Sequence, residues 1–271
     1  MMNNKNRKGD FMLGDIKCFL LDLDGTFYLD EKLLPGALEL LNLLVERNLD
    51  YLFLTNNSSK HAEQYVEKLG RFNVNVGKEH ILTSGEATTI YLQKEMPNAN
   101  VFIVGTRALE EEFVNCGIRL VENEPDVIVL GFDTTLTYKK LWKICNFVRD
   151  GYPYIATHPD VNCPTETGFM PDIGSFIALI ESSTGRKPDV VIGKPNDNMV
   201  KAVLERTGHE KDEIVMIGDR LYTDIAMGRT GIMTILVLSG ETKKSDLAIS
   251  EIRPDIIVKD LRGIVRLLKK K

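Results

Sequence analysis

Two carboxylates one residue apart, Asp22 and Asp24, follow the apolar run Cys18-Phe19-Leu20-Leu21 in the segment Asp22-Leu23-Asp24-Gly25-Thr26. Four consecutive apolar residues predict a strand buried on both faces, as inside a parallel sheet. Carboxylates at its C-terminal end then stand where open α/β sheets place their ligand crevice. Crowding two negative charges there is costly unless a cation or a reaction needs them. An acidic Asp-Gly turn or a calcium loop would also explain the pair. The calcium loop fails on its spacing, because Phe27 stands where it needs Gly and Leu33 where it needs Glu.

Similar junctions recur along the chain. Tyr51–Leu54 runs into Thr55-Asn56-Asn57-Ser58, Val190–Gly193 into Lys194-Pro195, and Ile214–Ile217 into Gly218-Asp219-Arg220, with Asp224 following. Taken singly, Thr55 reads as a helix cap, Lys194 as a surface charge and Asp219 as a turn residue. Taken as an ordered set, a hydroxyl, an ammonium and several carboxylates at strand ends point to phosphate and metal chemistry.

On these motifs the chain resembles the haloacid dehalogenase (HAD) superfamily of phosphotransferases. It is most similar to the 4-nitrophenylphosphatase or NagD-like branch, whose members carry a large α/β cap. Asp22-Leu23-Asp24-Gly25-Thr26 matches the first superfamily motif, Thr55 the second, Lys194 the third, and Gly218-Asp219 with Asp224 the fourth. Thr55–Ser58, Gly185–Pro188, Gly193-Lys194-Pro195 and Gly218–Asp224 carry the match to the branch, which covers nearly the whole chain from about Asp15. The resemblance implies Asp22 as nucleophile, forming an aspartyl phosphate, and Asp24 as general acid and then base. It implies Thr55, the Asn56 backbone amide and Lys194 around the phosphoryl oxygens. Mg²⁺ is expected on Asp22, Asp219 and the backbone carbonyl of Asp24, with Asp224 orienting a bound water or Lys194. Substrate recognition is expected from the loop Thr157-His158-Pro159-Asp160 with Cys163-Pro164, namely from His158, Asp160 and Cys163. Related capped phosphatases often carry Asn where His158 stands.

Strands and helices must alternate to bring these groups together. Helices are expected at 35–47, 60–69, 84–94, 107–115, 138–149, 175–183, 197–206 and 261–269, and middle strands at 101–104, 127–130 and 154–156. Gly70, Gly117, Gly151, Gly185 and Gly208 fall just past five of the helices, as left-handed caps. The fold class expected is α/β, with a Rossmann-like parallel-sheet HAD core and an inserted α/β cap domain. The core is expected at residues 1–96 and 189–271, and the cap at 97–188. One large continuous sheet is the alternative.

A chain of 271 residues has room for a core plus an inserted module. A net charge of −5, without a basic stripe, argues against a nucleic-acid partner. Met1–Asp10 lacks an apolar signal region, and no apolar run approaches a membrane span. Lys269-Lys270-Lys271 suits a helix C-terminus better than a membrane anchor. The four cysteines show no CxxC spacing, which fits a cytoplasmic location, and homo-oligomerisation is left open. The four histidines show no zinc spacing. The expected partner is therefore a small-molecule phosphomonoester, such as a sugar phosphate, a nucleotide monophosphate or 4-nitrophenyl phosphate. Competing readings are a phosphomutase, a dehalogenase, or a receiver-like module whose phospho-Asp signals rather than turns over.

Overall fold

The computed structural model describes residues 13–165 and 168–270. Met1–Asp10 and Lys271, read above for targeting and for the helix dipole, lie outside the described residues. No described helix is long and apolar enough to cross a membrane.

The run Cys18–Leu21 forms β1, all of it buried. It is followed by a ribbon of β2 (Tyr28–Leu29) and β3 (Lys32–Leu33), then α1 (Ala37–Glu46), β4 (Asp50–Thr55), α2 (Ala62–Arg71) and β5 (Ile81–Thr83). After α3 (Ser84–Glu95) come β6 (Asn100–Val104), α4 (Arg107–Asn115), β7 (Arg119–Leu120), β8 (Val127–Leu130), α5 (Tyr138–Arg149) and β9 (Tyr154–Ala156). A hairpin of β10 (Asn162–Thr165) and β11 (Gly168–Pro171) leads to α6 (Ile173–Thr184) and β12 (Val190–Val191). The remaining elements are α7 (Asp197–Thr207), β13 (Ile214–Gly218), β14 (Met233–Val237), α8 (Asp246–Ile249), β15 (Ile256–Val258) and α9 (Leu261–Lys269).

These strands make two separate parallel sheets, ordered β15-β14-β13-β1-β4-β5 and β12-β9-β8-β6-β7. Parallel neighbours need crossover connections, and the intervening helices supply them. In the first sheet β1 is flanked by β4 and β13, so the chain leaves it in opposite directions. The C-terminal end of β1 is thus the topological switch point, where two crossovers diverge and leave a crevice. Leu21 is level with both Phe53 and Ile217, which sets the polar ends of β1, β4 and β13 side by side.

Two local expectations need correcting. Val190–Val191 pairs with Ile155 and Ala156 of β9, so it joins the second sheet and not the one holding Asp22. A short apolar run signals burial, but both sheets bury both faces and either would accept it. Gly70 lies inside α2; the helix continues to Arg71, and Asn73, at φ 60°, takes the left-handed position instead. Gly117, Gly151, Gly185 and Gly208 do adopt positive φ after their helices.

Candidate active site

Asp22 leaves β1 at the switch point, where its backbone N–H donates to Ile217 O at 2.9 Å. Its carboxylate accepts from Lys194 Nζ at 2.6 Å. The same ammonium donates to Leu54 O at 3.0 Å and lies 2.8 Å from Asp224 Oδ1. Lys194 is itself buried, so the ion pairs must compensate its lost hydration. Burial opposes its charge, yet the Asp22 and Asp224 carboxylates outweigh that and hold its pKa above the ordinary lysine value.

Asp219 follows β13 on the other side of Asp22. It accepts from Thr26 Oγ1 at 3.3 Å and from the Glu241 backbone N–H at 2.6 Å. Gly25 has φ +92°, and a Cβ there would lie 2.5 Å from Asp219 Oδ2. Only glycine lets that turn press against the carboxylate. Asp22, Asp219 and Asp224 each offer an oxygen within 4.8 Å of the others. Burial, reinforced by the charge of Asp224, pushes Asp219 up to about 7. Burial likewise raises Asp22, with Lys194 pulling the other way and Asp224 and Asp219 adding to the rise. Three buried carboxylates against one ammonium leave a deficit of positive charge. Hard oxygen donors around such a deficit fit a divalent cation of the Mg²⁺ or Ca²⁺ kind.

Asp24, two residues beyond Asp22, is brought to the mouth of the crevice with its carboxyl half exposed. Tyr28 Oη donates to it at 3.5 Å, and Lys68 Nζ stands 4.0 Å away. Its side chain does not belong to the three-carboxylate group; Asp224 does. Thr55 ends β4, and its hydroxyl accepts from Asn57 N–H at 3.1 Å. The Asn56 carboxamide is fully engaged: it accepts from Lys194 N–H at 2.8 Å and donates to Lys194 O at 3.0 Å and Asp160 Oδ1 at 3.1 Å. Only its backbone N–H is left to serve a ligand.

The two sheets meet around this same segment. Ser58 Oγ bonds Thr157 Oγ1 at 2.8 Å and accepts from Phe132 N–H at 2.9 Å, while Thr106 Oγ1 donates to Ser59 O at 2.8 Å. The C-terminal ends of β6, β8 and β9 therefore face those of β1 and β4. A cavity of about 710 Å³ is lined by Asp160, Val161 and Phe169 from the second sheet's loops and by Tyr222, Thr223 and Glu241 from the first sheet's.

Of the three recognition residues expected in the second sheet's loops, Asp160 lines this cavity, while Cys163 packs partly against the apolar core beneath the hairpin. His158 has no exposed surface. Its Nδ1 accepts from Asp160 N–H at 3.3 Å and its Nε2 lies 3.5 Å from Asp172 Oδ1, so the ring braces the loop from beneath. Gly193 allows this closeness, since a Cβ there would sit 2.6 Å from His158 Cβ. Burial pulls the His158 pKa from 6.5 down to about 4, against the attraction of Asp160 and with Lys194 and Arg220 also lowering it. A depressed histidine stabilises the fold fully above 6.5 and loses that contribution as pH falls toward 4. The difference is worth roughly 3 kcal/mol. His158→Asn should therefore flatten the acid limb of stability by that order, read by urea unfolding at pH 7 and pH 4. Identical pH slopes in both proteins would contradict a buried neutral ring.

Arg220 and Thr223 fall within the motif Gly218–Asp224 but were given no role from the sequence, and Glu241 was not singled out. Arg220 Nε lies 3.0 Å from Glu241 Oε2, and its Nη1 lies 3.8 Å from Asp160 Oδ2. A signal for Glu241 existed: Met233–Val237 is another buried apolar strand running into a polar turn.

The family model described as haloacid dehalogenase-like hydrolase matches residues 19–119, and a HAD-hydrolase-like model matches residues 191–264. An acid sugar phosphatase of Staphylococcus epidermidis is 35% identical over 256 residues, covering 94% of this chain and 98% of that protein. A solved 4-nitrophenylphosphatase from Thermotoga maritima is 48% identical, with a TM-score of 0.91 over 94% of this chain and 98% of that one. A glycerol phosphate phosphatase from Mycobacterium tuberculosis, solved in complex with calcium, is 31% identical with a TM-score of 0.86, covering 93% of this chain and 75% of that one. The chain belongs to the haloacid dehalogenase-like hydrolases. Within them it is a phosphatase, related to the 4-nitrophenylphosphatase and NagD-like proteins.

Proposed function

We propose that this phosphatase hydrolyses small phosphomonoesters with Mg²⁺, through an aspartyl phosphate on Asp22. The observation that carries the reading is the contact of Lys194 Nζ with Asp22 at 2.6 Å and Asp224 at 2.8 Å, at the switch point, with Asp24 two residues on. Enzymes accelerate phosphate-monoester hydrolysis by up to ~10²¹-fold, which no single group supplies. An Asp22 carboxylate oxygen bonds to phosphorus as the ester P–O bond breaks. Asp24 gives its proton to the departing alkoxide. Its carboxylate then takes a proton from the water that attacks phosphorus, releasing phosphate and regenerating Asp22. Thr55 Oγ1, the Asn56 N–H and Lys194 Nζ neutralise the phosphoryl oxygens, and Asp224 holds the lysine in place. Asp22, Asp219 and the Asp24 carbonyl would hold the cation, which offsets repulsion between carboxylate and phosphate when bound.

The second sheet is read as an inserted cap over a core of the flanking segments; its edge strand β12, at Val190–Val191, carries the cap just past the expected bound of 188. Its separate sheet supports that division. Acid sugar phosphatase and 4-nitrophenylphosphatase relatives support small esters as substrates.

Steady-state and rapid-mixing assays with 4-nitrophenyl phosphate test the reading. Wild type should release phosphate over many turnovers, whereas one phosphoryl group per chain would define a receiver module. Asp24→Asn should lower kcat on alkyl esters by about 10²–10⁴-fold. On 4-nitrophenyl phosphate, whose leaving group needs no proton, the variant should give a burst of nitrophenolate and then a slow phase. Near-native kcat on an alkyl ester would remove the acid–base role from Asp24.

A further inference from the structure

Asp24 differs from the buried Asp22, Asp219 and Asp224 in that its carboxyl is half exposed. A side chain with that freedom loses conformational entropy each time it is aimed at a reacting atom. Packing alone does not aim it, but two polar groups converge on it. Tyr28 is fully buried, and its Oη donates to Asp24 Oδ2 at 3.5 Å, while Lys68 Nζ stands 4.0 Å from Oδ1. The two groups are themselves joined, since the Lys68 ammonium lies over the Tyr28 ring, 3.9 Å from its centroid. Tyr28 is a fixed platform. Its carbonyl accepts from Gly25 N–H at 2.8 Å, closing the turn that carries Asp24, and its ring packs on Phe72 with centroids 5.7 Å apart.

Lys68 reaches this turn from the last turn of α2. Its side chain is only 17% exposed, and an ammonium so far out of water needs a counter-charge. Among the described residues Asp24 is the carboxylate within 4.0 Å of it. The neighbouring guanidiniums are committed elsewhere, Arg220 to Glu241 and Asp160, and Arg71 to Glu31. An ion pair at 4.0 Å with half its carboxyl in water adds little to stability, so aim and not stability is what the contact supplies.

We infer that Lys68, held on the Tyr28 ring, is a positioning residue for Asp24: ammonium and phenol together fix one orientation of the carboxyl toward the leaving-group oxygen and then toward the attacking water. The inference rests on the acid–base reading of Asp24 above and assigns the groups that make it effective. A misplacement of about 1 Å in such a group can cost about 10²-fold in rate.

The test compares kcat/KM for alkyl esters, drawn from a panel of glycerol and sugar phosphates, with that for 4-nitrophenyl phosphate, each protein being read at its own pH optimum. Lys68→Met should lower the alkyl-ester value by about 10- to 100-fold. The 4-nitrophenyl phosphate value should fall by less than about threefold, because that leaving group needs no proton. Melting temperature should barely move, and Lys68→Gln should behave in the same way. Tyr28→Phe keeps the ring but removes the donor, so it should give a smaller loss of the same selectivity. Lys68→Arg should recover most of the activity. In an Asp24→Asn background, Lys68→Met should add no further loss, since nothing is left to aim. An equal loss on both kinds of ester, an alkyl-ester value unchanged or raised, or a full additional loss in Asp24→Asn would overturn the inference; the last would make Lys68 a substrate contact. A slowed Asp24→Asn beside an unaffected Lys68→Met defeats this inference alone. Near-native alkyl-ester turnover by Asp24→Asn, or a wild type that hydrolyses only 4-nitrophenyl phosphate, defeats the acid–base reading and the inference together.

Discussion

Asp22→Asn should lower kcat by at least about 10⁴-fold, the scale reached when one member of a cooperative nucleophilic set is removed. An amide oxygen is a far weaker nucleophile than a carboxylate, while the side-chain volume is unchanged. Lys194 keeps Asp224 at 2.8 Å and Leu54 O at 3.0 Å, so its ammonium stays anchored. Removing one charge from three crowded, buried carboxylates also relieves repulsion. Melting temperature should therefore hold or rise as activity vanishes. The pairing of those two readouts separates a lost nucleophile from a damaged fold. A variant that unfolds, or one retaining more than about a hundredth of wild-type kcat, is incompatible with the role given to Asp22.

Exhaustive chelation should take phosphatase activity to background, a loss of about 10³-fold or more from several kcal/mol of charge stabilisation. The same treatment should lower the melting temperature. A cation that binds only the folded state stabilises it by about 2.7 kcal/mol when present at a hundred times its Kd. The reason lies in the charge balance around Asp22, Asp219 and Asp224, where Lys194 answers only part of the negative charge. Restoring Mg²⁺ should recover both activity and melting temperature. Full activity in metal-free enzyme would contradict a cation at these carboxylates.

Much of this site was legible before any coordinates. The runs before Asp22, Thr55 and Asp219 are buried strands of one sheet, because uninterrupted apolar residues have no solvent-facing side. What the runs could not reveal was which sheet each joins. Val190–Val191 reads like the others, yet it pairs with β9, and Lys194 reaches Asp22 from the segment between the sheets. Partnership is decided by three-dimensional closure, to which a two-residue strand contributes almost nothing in sequence. His158 shows the same gap in reverse. Its polar, proline-flanked context suggested a ligand contact, whereas the imidazole is enclosed by Phe132, Asp160 and Asp172. Glu241 and Thr223 share the lining of one cavity with Asp160 and Phe169, which are distant in sequence. No local pattern records that juxtaposition.

The covalent step on Asp22 can be tested directly by trapping. Asp24→Asn is mixed with 4-nitrophenyl phosphate and Mg²⁺, quenched in acid during the slow phase, and analysed by peptide mass spectrometry. Loss of the base that activates water should leave a phosphoryl group on the peptide containing Asp22, and borohydride reduction should convert that residue to homoserine. The label should be absent from Asp22→Asn. Turnover without any phosphoryl group on Asp22 at any quench time, or a phosphoryl group on a different residue, would contradict the account.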